Sequence, residues 1–357
     1  MRAKIAACLS GILLAAFAAA TAVAGPALLF EPATGRIFYA EDQDNLWHPA
    51  SLTKIMTSYL VFEALKTRRI TLDQKIPVSE KAFIQPPSKV GLPVGAEMTV
   101  DLALKAVIVK SANDVSVMLA EAVGGSEENF VKLMNDTALR LGMTRTKFVN
   151  PNGLPAAEQV STARDLARLA RAVLRDFPEH AHLWTLPEVQ IGKLKLATHN
   201  HLLKTFEGAD GIKTGFICDS GFNVVSSATR DGRKLVAVVL GEPSGRERSI
   251  RAASLLDHGF QAQGWKLLFS SPPTIDNLPI PADAKGVQSM RQTVTGWECG
   301  ARKRPVAKKK AGQAVAGAKD KAGKAKAAKA KATTETGTAA APVNPKAASR
   351  AQPKVAE

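Results

Sequence analysis

The feature that most constrains the fold is an abrupt loss of large apolar side chains near residue 300. Residues 301–357 contain 19 Ala and 12 Lys but no Leu, Ile or aromatic residue. A segment of this composition cannot bury enough apolar surface to offset the entropy lost on ordering. We therefore predict a disordered, or at most transiently helical, basic tail over 301–357, and a folded body within the residues before it.

The same tail carries most of the charge. The whole chain has a formal net charge of +16, which by itself suggests a nucleic-acid-binding protein. Residues 301–357 hold 15 Lys or Arg against three acids, and residues 1–24 hold two bases and no acid, which leaves residues 25–300 with a net charge of +2. A nucleic-acid-binding protein is thus an alternative that rests on the tail alone. Contact of the tail with anionic envelope polymers or lipid head groups, or a role as a soluble spacer, are the other interpretations.

The N-terminus has the pattern of a secretory signal peptide over residues 1–24. Arg2 and Lys4 precede an apolar run over residues 5–20, and the run ends in Ala22-Val-Ala24, a small-x-small cleavage pattern. The run is shorter than the ~20 residues that span a bilayer. We predict secretion across the inner membrane and a periplasmic, envelope-associated protein, which argues against nucleic acid as a partner.

Cleavage after residue 24 would leave two cysteines, Cys218 and Cys299. Disulfides persist outside the cytoplasm, and a bridge here would close a loop of about 80 residues. The sequence leaves a disulfide and two free thiols equally open.

The body reads as strands at both ends with helices between them. The predicted strands are 27–30, 36–40, 210–216, 222–227 and 235–240. The predicted helices are 51–66, two within 100–124 that break at 111–114, 127–141, 161–174 and 246–260. We expect an α/β (α+β) domain over 25–262, an antiparallel sheet flanked by helices with an inserted, mainly helical subdomain. Residues 263–300 are predicted to be an irregular extension.

Three short motifs occur once each and in order: Ser51-Leu-Thr-Lys54, Ser111-Ala-Asn113 and Lys213-Thr-Gly215. On a helix, positions i and i+3 share a face, so the Lys54 amine can reach the Ser51 hydroxyl. A lysine acts as the base for a serine nucleophile only when desolvation or a neighbouring cation, here Lys213, lowers its pKa. The alternative is a helix-capping serine followed by a lysine whose amine reaches solvent.

The other two motifs predict the rest of a catalytic cleft. Ser111 and Asn113 can place a hydroxyl and an amide over it from a break between helices, although helix capping is the simpler alternative. At a strand edge, Gly215 permits close approach of another backbone, while Lys213 and Thr214 can hold a carboxylate. The alternative for this third motif is an exposed basic turn.

With Pro49-Ala-Ser-Leu-Thr-Lys54, Asn150-Pro-Asn-Gly-Leu154 and Asp210-Gly-Ile-Lys-Thr-Gly215, residues 26–262 resemble the low-molecular-weight, serine-type penicillin-binding D-alanyl-D-alanine carboxypeptidases. The resemblance implies a serine β-lactamase/DD-peptidase-like fold and no cofactor. It also implies removal of the terminal D-Ala from peptidoglycan pentapeptide stems through an acyl-enzyme, and acylation by β-lactam antibiotics.

The resemblance further implies a role for each motif residue. Ser51 would be the nucleophile and Lys54 its base, and Ser111 would share the later proton transfers. The backbone N–H groups of Ser51 and Phe216 would form the oxyanion hole. Many family members have His where this chain has Phe216, and since a backbone donor does not depend on its side chain, activity should survive the change.

Substrate binding is implied for the remaining motif residues. Asn113 would bind the substrate backbone, while Lys213, Thr214 and Gly215 would hold the end of the peptide. Arg246 would help to bind the terminal carboxylate, with Arg248 close by in sequence.

The sequence also bears on the type of reaction, on metal binding and on further domains. A D,D-endopeptidase that cleaves cross-links is the close alternative, whereas a β-lactamase is disfavoured because no Glu-x-x-Leu-Asn segment is found. His199-Asn-His201 lacks a third ligand at metal-binding spacing, so the histidines are assigned surface or structural roles and no metal is expected. The β-rich second domain and amphipathic helix of many relatives are not apparent after residue 260.

Overall fold

The computed structural model describes residues 25–262, 273–294 and 299. The predicted signal peptide, the basic tail and parts of the extension lie outside these residues. The described chain contains nine strands: β1 Ala27–Phe30, β2 Ile37–Glu41, β3 Lys75–Pro77, β4 Glu97–Thr99, β5 Glu188–Ile191, β6 Leu194–Ala197, β7 Ala209–Ile217, β8 Gly221–Arg230 and β9 Arg233–Glu242.

Eight α-helices lie in the same described ranges: α1 Lys54–Lys66, α2 Glu80–Phe83, α3 Val100–Lys105, α4 Asn113–Gly124, α5 Glu127–Arg140, α6 Ala163–Asp176, α7 Leu202–Thr205 and α8 Gly245–Gln261. Two 3-10 segments, Ala50–Thr53 and Pro178–Thr185, and one π-helical turn, Ala106–Lys110, complete the helical structure. The predicted long strands and helices are confirmed, while the short antiparallel strand pairs β3–β4 and β5–β6 were not predicted.

The main sheet joins the two ends of the folded body. Its five strands are antiparallel in the order β2-β1-β9-β8-β7, so the N-terminal hairpin pairs with the C-terminal strands through β1 and β9. The sequence in between forms the helical part, as predicted. Since β7 lies at the edge of this sheet, one side of it is free to line a cleft.

Alternating side chains on β1 and β9 explain why both faces of the sheet are covered. Leu28 and Phe30 belong to the core that the sheet shares with the helical part, whereas Ala27 and Leu29 belong to the core beneath α8. Successive side chains of a strand point to opposite faces. The sheet is therefore a central layer, with α8 on one side and helices such as α6 on the other.

The helical part breaks where the sequence predicted. The helix that starts at Val100 ends in the π-helical turn, after which Ser111 adopts a left-handed conformation with φ of 62°. The predicted break included 113 and 114, but these residues form the first turn of α4. Only Ser111 and Ala112 therefore separate the two helical segments.

Residues 273–294 pack on the domain as an irregular strap. Ile275 is fully buried and Met290 is 4% exposed, so the strap contributes to the main core. Met290 also donates its backbone N–H to the Asp219 carbonyl. Cys218 and Cys299 form a disulfide, which resolves the alternative left open by the sequence.

Candidate active site

Ser51 and Lys54 stand at the start of α1, with Ser51 in the preceding 3-10 turn. The Lys54 side chain is completely buried. Its amine lies 3.1 Å from Ser51 Oγ and donates to Asn113 Oδ1 at 2.8 Å and to the Asn152 carbonyl at 2.5 Å. Burial and the nearby Lys213 ammonium hold the pKa of Lys54 well below its ordinary value. This shift favours the neutral amine, which can take a proton from the serine.

Ser111, in the break before α4, and Asn113, in the first turn of α4, line the same cleft as Ser51. Ser111 is 6% exposed, and its buried Oγ has no hydrogen-bond partner within the described part of the chain. Asn113 accepts from Lys54 through Oδ1 and donates through Nδ2 to the Pro86 carbonyl at 2.9 Å. Since a buried hydroxyl without a partner is costly, Ser111 is poised to bond a group that enters the cleft.

Strand β7 brings the third motif against the serine. A Cβ atom on Gly215 would lie 3.0 Å from the backbone N of Ser51 and 3.0 Å from the Pro49 carbonyl oxygen. Only glycine allows this approach without displacing the turn. The Thr214 side chain faces the cleft, and Lys213 is buried beneath it. Burial and the charge of Arg248 lower the pKa of Lys213 to about 7.

The turn over residues 150–153 closes the opposite side of Ser51. Gly153 has φ of 80°, and a Cβ atom there would lie 1.9 Å from the Ala50 carbonyl oxygen. The Thr57 hydroxyl anchors the turn to α1 by donating to the Pro151 carbonyl at 2.6 Å. The turn thereby directs the Asn152 carbonyl at the Lys54 amine.

These residues meet in one cleft of about 1090 Å³. Its walls come from the helical part, the edge of β7 and the first turn of α8. Four cationic side chains line it, from Lys89, Lys110, Arg246 and Arg248, whereas no Asp or Glu among the described residues does. The cleft is therefore suited to an anionic ligand.

Comparison with known proteins agrees with this geometry. Residues 15–244 match the peptidase S11 family profile, described as D-alanyl-D-alanine carboxypeptidase. The chain belongs to the peptidase S11 family. It is 38% identical over 259 residues to the D-alanyl-D-alanine carboxypeptidase DacC of Escherichia coli, covering 69% of this chain and 65% of DacC. It therefore spans slightly less than two thirds of that relative.

Another curated relative and a solved structure agree with this result. The D-alanyl-D-alanine carboxypeptidase DacF of Bacillus subtilis is 34% identical over 273 residues, covering 75% of this chain and 69% of that protein. The solved structure of penicillin binding protein 5 from Haemophilus influenzae superposes with a TM-score of 0.65 at 35% identity, covering 67% of this chain and 71% of that one. The predicted family and the DD-peptidase-like fold are thus confirmed.

The position after the Lys-Thr-Gly motif of this S11 protein holds Phe216. Its ring packs on that of Phe222, with the ring centroids 4.2 Å apart. Both aromatic side chains line the cleft, so this part of its wall is apolar where many family members have an imidazole. The backbone of Phe216 continues β7 directly after Gly215, which lies against Ser51.

The two arginines at the start of α8 both line the cleft but differ in burial. Arg246 is exposed at the edge of the cleft, whereas Arg248 is only 6% exposed. The Arg248 guanidinium donates to the His199 carbonyl at 3.3 Å, and burial lowers its pKa to about 10. Arg248, rather than Arg246, is the arginine whose charge acts on Lys213.

Sequence reasoning missed Asn223 on β8. This side chain is fully buried, donates to the His48 carbonyl at 3.1 Å and accepts from the Gly241 backbone N–H at 2.9 Å. It ties the segment before Ser51 to β8 and β9, so it positions Ser51 without lining the cleft. A polar residue inside an apolar strand was the only signal of this role.

The sequence also assigned His199 a surface or structural role, yet it lines the cleft. The ring is solvent-accessible, but packed protein and the charges of Lys213 and Lys110 lower its pKa to about 4. No group of three or more potential metal ligands lies together within the described ranges. None of the helices described has the length and apolarity to cross a membrane.

Proposed function

We propose that this protein is a serine D,D-carboxypeptidase that removes the terminal D-Ala from peptidoglycan pentapeptide stems and is acylated by β-lactams. The observation that carries the proposal is the buried Lys54 amine, held 3.1 Å from Ser51 Oγ with its pKa lowered, in a cationic cleft. Membership of the S11 family supports the same reaction.

In the proposed acylation, Lys54 takes the Ser51 proton as Oγ attacks the carbonyl of the penultimate D-Ala. The bond between this carbonyl carbon and the leaving nitrogen breaks, and an ester to Ser51 forms. The backbone N–H groups of Ser51 and Phe216 stabilise the oxyanion, because Gly215 brings β7 against the serine turn. A β-lactam carbonyl reacts in the same way.

Ser111 completes the proton path in our proposal. Its Oγ has no partner among the described residues, so it is free to pass a proton between Lys54 and the leaving nitrogen. In deacylation the same pair activates a water molecule, which hydrolyses the ester and restores Ser51. Asn113 orients the Lys54 amine, and we expect it to contact the substrate backbone as well.

Recognition of the terminal carboxylate is proposed for Thr214, Lys213 and Arg248. Thr214 and Arg248 line the cleft, the Lys213 amine donates to the Thr214 carbonyl at 3.0 Å, and all three residues have little solvent exposure. Charge pairs screened from water are stronger than exposed ones, which favours Arg248 over the exposed Arg246 as the carboxylate partner.

Mass spectrometry of the purified protein tests the mechanism. After incubation with benzylpenicillin we expect one covalent adduct on Ser51, and with a D-Ala-D-Ala peptide we expect release of D-Ala. Ser51→Ala should abolish both. The matched control is Ser58→Ala in α1, the helix that follows the Ser51 turn, since Ser58 is fully buried and its Oγ has no partner among the described residues. Undiminished labelling of the Ser51→Ala protein would refute the assignment.

The location follows as a further proposal. We infer that residues 1–24 direct export and that the enzyme acts on the cell wall outside the cytoplasm, where its tail contacts anionic envelope polymers or serves as a spacer. Cell fractionation tests the location. Co-sedimentation of full-length and tail-deleted protein with purified envelopes at low salt tests the tail, and equal binding would exclude the contact.

A further inference from the structure

The cleft continues beyond the point where a single leaving D-Ala would end. On β7, Gly215 lies against Ser51, and Lys213 and Thr214 come before it in the strand. Four residues of strand, about 13 Å, separate Gly215 from Gly211. The Gly211 carbonyl accepts from the Asn200 side chain at 3.3 Å. The segment around Asn200 therefore lies on the far side of the carboxylate site from Ser51.

This distal region is open space rather than packed core. His199, His201 and Thr205 line the same cleft as Ser51, and all three are solvent-exposed. Leaving D-Ala carries only a methyl side chain and would not reach them. The cleft has room there for a longer side chain on the leaving residue.

A cation stands across from this space. The turn Ala106–Lys110 packs against the hairpin β5–β6, which leads directly to His199. Lys110 is half-buried in the cleft wall, and no carboxylate in residues 25–262 or 273–294 pairs with its amine. The Lys110 charge also contributes to the lowered pKa of His199. In the proposed function, Thr214, Lys213 and Arg248 bind the terminal carboxylate of the substrate. The charge of Lys110 is therefore available for a second anionic group.

We propose that Lys110 and His199, which line the same cleft, form a leaving-group subsite that binds a second carboxylate, on the side chain of the departing D-residue. The inference rests on the proposed function and names its preferred substrate class: peptides ending in D-Ala followed by an anionic D-residue larger than alanine. A leaving residue larger than D-Ala is also what cleavage of a cross-link releases.

Three N-acylated tripeptides that end in D-Ala-D-Ala, D-Ala-D-Glu and D-Ala-D-Gln test the subsite. D-Glu and D-Gln have the same shape and differ in side-chain charge. We expect the unmodified enzyme to hydrolyse the D-Glu peptide about tenfold faster in kcat/KM than the D-Gln peptide, the effect of one charge-assisted hydrogen bond. Equal rates on the two peptides would overturn the proposal without any variant.

Variants locate the effect. Lys110→Gln should remove the preference for D-Glu over D-Gln, and Lys110→Arg should retain it. Lys89→Gln is the matched control, since Lys89 also lines the cleft but donates to the Phe83 carbonyl at 3.0 Å, and it should keep the preference. A preference that survives Lys110→Gln would refute the subsite. Absence of turnover on all three peptides would instead refute the proposed function.

Discussion

Gly153 offers the sharpest test of how the active site is positioned. Its φ of 80° is in the left-handed region, and a Cβ atom would lie 1.9 Å from the Ala50 carbonyl oxygen and 3.0 Å from the Ser51 backbone N. In Gly153→Ala the new methyl group therefore collides with the turn that carries Ser51. Neither neighbour is a flexible side chain, so the clash can be relieved only by moving backbone.

The size of the effect follows from two contributions. An alanine in the left-handed conformation costs about 1–2 kcal/mol of conformational energy. An ordinary carbon–oxygen contact is about 3.3–3.6 Å, so one of the two backbones must move by more than about 1 Å. A displacement of that size at reacting groups lowers rates by roughly 10²-fold. We expect Gly153→Ala to be destabilised and to acylate at least about a hundredfold more slowly.

Gly95→Ala separates the two contributions. Gly95 has φ of 81° but nothing within 4 Å of the position that a Cβ atom would take, so the variant has the same strain without the collision. Stopped-flow acylation with a fluorescent penicillin, together with urea unfolding, measures both variants. Gly95→Ala should lose stability but keep its acylation rate. If Gly153→Ala acylates within about threefold of the unmodified protein, the proposed positioning of Ser51 is wrong.

Three further predictions concern charge, positioning and the disulfide. The kcat/KM for a D-Ala-D-Ala peptide should fall above about pH 7, because Lys213 loses its proton there. Lys213→Arg should move this fall to higher pH. A flat pH profile from about pH 6 to 9 would contradict the prediction. Asn223→Leu leaves buried backbone groups unpaired and should lower the free energy of unfolding, measured by urea titration, by roughly 3 kcal/mol. A loss under about 1 kcal/mol would contradict this prediction. Cys218 and Cys299 are separated by 81 residues in the chain, so reduction of their disulfide should lower the free energy of unfolding by about 4 kcal/mol. Identical urea midpoints with and without reductant would contradict this prediction.

The long elements were predictable because their signals are local. The strands predicted over 222–227 and 235–240 became β8 and β9. The helix predicted over 161–174 became α6, where the Thr162 hydroxyl accepts from the Asp165 N–H at 3.0 Å. The short antiparallel strand pairs β3–β4 and β5–β6 were missed, since strands of three or four residues contain too few positions for a periodic pattern.

The relation between Ser51 and Lys54 was also local. One turn of helix places their side chains on the same face, and the structure brings the amine within 3.1 Å of the hydroxyl. What the spacing could not predict is the environment of that amine. Its complete burial and the nearby charge of Lys213 come from segments distant in sequence.

Which of Arg246 and Arg248 is buried could not be predicted from the sequence and depends on the packed structure. Both lie in the first turn of α8, and two residues along a helix point in directions about 200° apart. Which one turns inward depends on how α8 is rotated against the sheet. That rotation is set by apolar contacts of Ala252, Leu255 and Leu256 further along the helix.

The family, the order of the long strands and helices and the three motifs can be read from the sequence, because each depends on residues that are neighbours in the chain or one helical turn apart. The groups that surround Ser51 come together only when the domain packs. Gly153, Gly215 and Asn223 act there through backbone atoms of the segment 48–51, far from them in sequence. Such contacts, like the open space beyond Lys213, arise from packing of whole elements and leave no local pattern in the chain.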